Sequence, residues 1–206
     1  MKRHRHLLFA ASTFLLTAGC RRPAPPDIRT EGTSTEAVTA LPTDLYLAAD
    51  SSAILMAARQ LMEADQNVAL TTVDATGQPR TRTVNARLAN VDASDPRKGM
   101  TVWVLTRAST RKVEQIRTHP NVTLYFNDDA KIIYLSIMGT AVLHDDPADP
   151  RVQPFLDAET RQYFWPDFPR EFMVIEVRPR WLEYLSPALP GHKERWTPQA
   201  VVFTPQ

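Results

Sequence analysis

The feature that most limits the fold of this chain is a succession of short β-type segments separated by turn signals, running from Asn67 to Leu185. Val68 to Val73 reads as a strand, Asp74-Ala-Thr-Gly-Gln-Pro79 as a turn, and Arg80 to Val91 as the returning strand of a hairpin. Asp95-Pro-Arg-Lys-Gly99 punctuates the chain before a third strand, Met100 to Thr106. Val122 to Asn127 and Ile132 to His144 form a pair joined through Asp128-Asp129, and the last strands are Phe172 to Val177 and Trp181 to Leu185. Helical spacing occurs in three places only. Ile54, Leu55, Ala58, Leu61 and Met62 follow the caps Asp50-Ser51-Ser52. Val113 and Ile116 follow Ser109-Thr110 and stop at His119-Pro120, and Val152, Phe155, Leu156 and Phe164 are broken by Pro166 and Pro169. Many short antiparallel strands with few helices predict a mainly β chain closed into a small barrel.

Composition narrows the function classes. Lys and Arg number 24 and Asp and Glu 23, a net charge of +1, which argues against a nucleic-acid binder working through bulk charge. The hydrophobic share of 43% is enough for a packed core. One Cys excludes an intrachain disulfide framework and a cysteine-cluster metal site.

The N-terminus reads as an address. A basic leader, Met1 to His6, precedes the apolar run Leu7 to Ala18, which is too short to span a bilayer but fits a secretory h-region. It ends in Leu16-Thr-Ala-Gly-Cys20 and resembles a bacterial lipoprotein signal, with Thr17 where Leu is usual. The resemblance implies removal of residues 1–19, lipid on Cys20, export, and a periplasmic-side membrane anchor. The leader has no twin arginine of the kind that accompanies folded export. Residues 20–49, rich in Pro, Thr and Ala, read as a tether, 50–186 as the folded domain, and 187–206 as a Pro-rich tail.

Four segments in register carry a second resemblance. Leu70-Thr-Thr-Val-Asp-Ala-Thr-Gly-Gln-Pro-Arg80, Trp103-Val-Leu-Thr-Arg-Ala-Ser-Thr-Arg-Lys112, Ile116-Arg-Thr-His-Pro-Asn-Val-Thr-Leu124 and Ile137-Met-Gly-Thr-Ala141 occur in order. Together they resemble the FMN-binding split barrels related to pyridoxamine 5′-phosphate oxidase, most closely the bacterial general-stress branch, over about Ile54 to Leu185. The resemblance implies a six-stranded antiparallel split barrel, a homodimer, and FMN held between subunits.

A phosphate needs fixed cations and hydroxyl donors, and Thr106, Ser109, Arg111 and Lys112 supply these where a strand end opens a helix. By themselves the same residues read first as a capped, solvated helix start. The resemblance implies that Arg82, Thr106, Arg111 and Lys112 meet the FMN phosphate. It also implies that Thr83, Val84 and Asn85 line the ring edge through their backbone, and that Arg87, Leu105 and Tyr134 complete the site. Arg82 and Arg87 stand five apart, so a regular strand sends them to opposite faces. Arg87 is either a second ligand contact beyond a bulge or an exposed edge-strand charge.

His119 reads as a helix-end cation, and His144-Asp145-Asp146 as a solvated turn. Trp165, Trp181 and Trp196 read as core or interface aromatics before flavin stackers. True pyridoxamine phosphate oxidases bind the substrate phosphate with Arg and Ser of the helix after the fifth strand. Gln153 to Tyr163 lacks that arrangement, and Gly191-His-Lys-Glu-Arg195 only faintly echoes the family's C-terminal segment. Three functions fit: an FMN-dependent oxidoreductase of general-stress type acting on an unidentified small molecule, a non-enzymatic flavin holder, and a haem binder using His119, His144 or His192.

Overall fold

The hairpin around Asp74 forms as the sequence predicts. In the computed structural model, which describes residues 41–89, 97–189 and 196–203, β1 (Asn67–Val73) and β2 (Pro79–Leu88) pair without a break from Asn67↔Asn85 to Val73↔Pro79. Asp74 Oδ1 accepts from the N–H groups of Thr76 and Gln78, each at 3.0 Å, and Gly77 takes the left-handed conformation (φ 82°) that a residue without Cβ adopts at no steric cost. The leader, Cys20, most of the tether and His192 lie outside the described residues.

The remaining elements are α1 (Ser51–Ala64), β3 (Val102–Arg107), α2 (Arg111–Thr118), β4 (Asn121–Asp128), β5 (Ile133–His144), α3 (Ala158–Phe164), β6 (Phe172–Leu185) and β7 (Gln199–Val202). The strands hydrogen-bond in the order β3-β2-β1-β4-β5-β6-β7, and β3 also pairs with β6. That extra pairing closes six antiparallel strands into a barrel. The fold is mainly β, as expected.

Alternation along the strands fills the interior. Val68 and Leu70 of β1, Val84 and Ala86 of β2, Leu124 and Phe126 of β4, and Leu135 and Ile137 of β5 share one core. α1 adds Ile54, Leu55, Ala58, Leu61 and Met62 to it, and its first turn is capped by Asp50 Oδ1, which accepts from Ala53 N–H at 3.0 Å. α2 contributes Ile116. A second, smaller core lies on the outer side of β3 and β6, where Trp103, Leu105, Phe172 and Val174 pack with Val152, Leu156 and Trp165. β3 is therefore buried on both faces.

The structure corrects three expectations. The last two strands are one strand, β6. Pro179 sits inside it because Met138 faces Trp181 while Gly139 faces Pro179, leaving Arg180 as the extra residue of a bulge. A Cβ at Gly139 would run into the Arg178 carbonyl, so glycine permits this close approach. The Pro-rich tail is not merely a tail: β7 pairs with β6 from Trp181↔Val202 to Tyr184↔Gln199. The end of the tether joins it, with Ala200 N–H donating to the Tyr46 carbonyl at 2.7 Å and Ala48 N–H to the Ala200 carbonyl at 2.9 Å. Finally, the helix expected from Val152 to Phe164 is a 3-10 turn at Gln153–Phe155 followed by α3. Asp157 separates them by accepting from Thr160 N–H at 2.8 Å.

Candidate functional site

Arg82 shares the barrel-facing side of β2 with Val84 and Ala86 but stands nearer the hairpin, where the apolar core gives way to α2. Its Nη1 donates to Thr72 Oγ1 at 2.6 Å and its Nη2 to Gln115 Oε1 at 2.8 Å. Thr72 is 1% exposed, and its hydroxyl donates in turn to Gln115 Oε1 at 2.6 Å. Thr72 faces inward from β1 and Gln115 inward from α2, so three elements meet at one guanidinium.

Arg111 and Lys112 open α2 beside it. Burial, then the neighbouring Arg111, holds Arg82 below its ordinary pKa, and burial, then Arg82, does the same to Lys112. Among the described residues none of these three cations is in an ion pair, whereas Arg59, Arg80 and Arg117 each have a carboxylate within reach. Three crowded cations, Arg82 and Lys112 partly desolvated and Arg111 exposed, form a site of positive potential with no acid among the described residues. Such a site is stabilised by a bound anion.

Around it, Thr106 is 5% exposed and its Oγ1 lies 3.3 Å from Thr110 Oγ1. Thr110 gives its own hydrogen to the Arg107 carbonyl at 2.8 Å, so Thr106 is the donor of that pair. The end of β3 is fixed from the other side by Trp165, whose Nε1 donates to the Thr106 carbonyl at 2.7 Å.

These observations place the chain. A family model described as pyridoxamine 5′-phosphate oxidase matches residues 54–186, which include every strand of the closed barrel. The chain belongs to the pyridoxamine 5′-phosphate oxidase family. Solved structures of the same fold include a Clostridium acetobutylicum protein related to general stress protein 26. It is 21% identical, covers 75% of this chain and 96% of its own, and has a TM-score of 0.56. A Nostoc punctiforme protein described as pyridoxamine 5′-phosphate oxidase-related and FMN-binding is 16% identical, with coverage of 77% and 98% and a TM-score of 0.50. A heme-binding protein from Mycobacterium smegmatis is 13% identical, with coverage of 75% and 60% and a TM-score of 0.54. No curated protein matches the chain.

Within this family fold, the residues expected at the site divide. Arg82, Arg111, Lys112 and Thr106 gather at the junction of β3, α2 and the barrel end. The backbone of Ser109 is engaged by Glu171, its N–H donating to Oε2 at 2.9 Å. The Leu105 side chain is 4% exposed and belongs to the second core with Trp165 and Phe172, and Val84 points into the barrel. Thr83 and Asn85 lie on the outer face of β2, and Asn85 Oδ1 is buried with no hydrogen-bond partner. Arg87 shares that outer side and reaches a separate cleft of ≈ 490 Å³ lined also by Arg59, Glu63, Gln66, Phe155 and Asp157. No bulge in β2 brings Arg87 round to Arg82.

Tyr134 lies on the outer face of β5, stacked on Tyr125 with centroids 5.7 Å apart, two strands beyond β1. Burial, then Glu183 and Tyr125, raises its pKa. Thr72 and Gln115 escape a reading of the sequence, because their bonds to Arg82 and to each other join residues 10, 33 and 43 apart.

The histidine reading is also corrected. His144 is 5% exposed, not solvated, with Nε2 2.9 Å from Glu176 Oε2 and Nδ1 3.2 Å from Asp149 Oδ2. Both ring nitrogens are engaged by carboxylates, so neither is offered to an iron. Trp165 is core, Trp181 is half-buried beneath Arg180, and Trp196 is exposed.

Proposed function

We propose that this chain is an FMN-binding split barrel that uses the flavin as an oxidoreductase of general-stress type on a small molecule. The observation that carries the reading is the cluster Arg82, Arg111 and Lys112, brought together with no compensating carboxylate among the described residues. FMN fits that chemistry. Its phosphate would neutralise the cluster, with Arg82 and Arg111 donating and Lys112 supplying a point charge. The hydroxyl of Thr106 would supply a further donor by turning from Thr110. Thr83 and Asn85 would face the ring edge, and Asn85 Oδ1 is an acceptor without a donor. When bound, a flavin supplies hydride and electron transfer. The protein's share is to bind, orient and exclude water.

The outer face of β1, β2, β4 and β5 supports a two-fold dimer as the working form. Its cross-strand row Thr83–Ala69–Tyr125–Ser136 carries small and aromatic side chains and continues on β6 to Glu183, whose pKa burial raises. Tyr134 lies three strands from β2 in the same subunit, and in such a dimer the partner's copy of this tyrosine would come to the flavin. The leader and Cys20 support export and a lipid anchor. A mature N-terminus bearing unmodified Cys20 would contradict that part.

The vitamin-oxidase activity itself is not proposed. α3 carries a single cation, Arg161, which lies over the Phe168 ring at 5.0 Å, and it lacks the Arg and Ser arrangement of the vitamin oxidases. Titrating FMN and riboflavin onto the purified chain tests the cofactor. FMN should bind about tenfold or more tightly than riboflavin, the equivalent of one charge-assisted bond. Equal affinities would contradict the reading. Turnover with a reduced nicotinamide and an electron acceptor separates an enzyme from a flavin holder.

A further inference from the structure

Arg82 is part-buried, and its guanidinium is held in an unusual manner. Buried arginines are commonly fixed by carboxylates, which satisfy the donors and cancel the charge. Here two neutral groups do the fixing. Arg82 Nη1, Thr72 Oγ1, Gln115 Oε1 and Arg82 Nη2 close a ring of three hydrogen bonds at 2.6, 2.6 and 2.8 Å. The ring also fixes the Gln115 amide, because Arg82 can only donate and Thr72 has one hydrogen to give, so oxygen must face both. A second bond from Nη1 to the Leu70 carbonyl at 3.4 Å completes that nitrogen.

The consequence is directional. The Nη1–Nη2 end of the fork is occupied, while Nε–H and the remaining hydrogen of Nη2 have no protein partner among the described residues. Those two donors lie along one side of the guanidinium, the geometry that accepts two oxygens of one oxyanion.

We propose that Thr72 and Gln115 are positioning residues that aim the Nε–Nη2 side of Arg82 at the FMN phosphate while leaving its charge intact. This rests on the phosphate reading given above. Neutrality is the point of the device. A glutamate at position 115 would hold Arg82 equally well but would cancel the charge that recruits the anion. Thr72 also ties strand to helix through its hydroxyl, since among the described residues it alone bonds both Arg82 and Gln115 through its side chain. The lowered pKa values of Arg82 and Lys112 accord with charges kept uncompensated.

The test compares FMN and riboflavin affinities, with thermal unfolding, for the full chain and for Gln115→Glu, Thr72→Val, Thr72→Ser and Arg82→Ala. A merely structural role moves stability and both flavins in the same direction. The proposal predicts opposite signs for Gln115→Glu: unfolding at the same or higher temperature, FMN weakened about tenfold or more, and riboflavin unchanged. Thr72→Val should weaken FMN alone by about threefold to tenfold, and Thr72→Ser should restore it. If Arg82→Ala weakens FMN selectively while Gln115→Glu and Thr72→Val leave the FMN-to-riboflavin ratio unchanged, the positioning role falls and the phosphate site stands. If Arg82→Ala leaves that ratio unchanged, both fall.

Discussion

Two polar clusters in this barrel each gather several charged side chains and differ in how those charges are matched. At the end of β6 nearest β3, His144 lies between Asp149 and Glu176, Arg178 bonds Glu176 at 2.9 Å, and Arg151 bonds Asp149 at 2.6 Å. Every carboxylate there has cationic or imidazole partners. At the mouth near α2, Arg82, Arg111 and Lys112 meet threonine and glutamine but no acid among the described residues. The first arrangement is complete within the chain and acts as a fastening. The second has no such partner among the described residues, and on the proposed reading an anion would complete it. Residue type alone would pick the histidine cluster as the active one, and the balance of charge picks the other.

The largest expected effect is on the fastening. Glu176 is pushed up by burial, but the bonds from Arg178 and His144 together outweigh this and hold its carboxyl below the ordinary value. Glu176→Ala should cost about 3 kcal/mol of unfolding free energy in a denaturant titration, since it leaves a buried partner uncompensated. The FMN-to-riboflavin ratio should stay the same, and a changed ratio would merge the two clusters into one site. Arg151 likewise holds the Asp149 carboxyl well below the usual range. Both acids titrate lower folded than unfolded, so their stabilisation is present above the ordinary carboxylate range and lost as pH falls through the lowered values. The acid limb of the stability curve should therefore be shallower in Glu176→Gln than in the parent.

A smaller effect sharpens the other side. Lys112 must be charged to attract phosphate, and its pKa lies below the ordinary 10.5 because of burial and then Arg82. FMN affinity should fall as pH rises through that lowered value, by a few-fold, on the order of 1 kcal/mol or less. Riboflavin should not follow. A parallel decline of both flavins would assign the effect to the ring or to the fold.

The smallest effect concerns Ser109, which spacing alone puts among the phosphate donors. Glu171 lies against this residue: the Ser109 side chain, then its backbone N–H, holds the Glu171 carboxyl below its ordinary value. Ser109→Ala should change FMN affinity by less than about twofold, while Thr110→Ala, which releases the Thr106 hydroxyl, should change it more. The reverse order would return Ser109 to the site.

Much of this barrel is legible in the sequence because its determinants are local. Asp74 and Gly77 declare their turn, and Asp50 declares the start of α1. The helix of Val113 and Ile116 stops at His119-Pro120, where the proline disfavours further α backbone. What is illegible depends on distant partners. Pro179 looks like a strand breaker until Gly139 is found opposite. Gln199 to Val202 is too short to announce itself and exists as a strand because β6 and Tyr46 flank it. His144 looks like a turn residue until Glu176, 32 residues away, takes its ring. For the candidate site, spacing reveals the cations, but only the fold reveals that Thr72 and Gln115, not a carboxylate, hold Arg82.

The central claim is that an uncompensated cation cluster awaits the FMN phosphate. Arg111→Ala tests it most directly, because Arg111 is exposed at the start of α2 and belongs to neither core. Titrated against FMN and riboflavin, the variant should lose about tenfold to a hundredfold in FMN affinity and little in riboflavin affinity. Unchanged FMN affinity, or an equal loss for both flavins, would contradict the account.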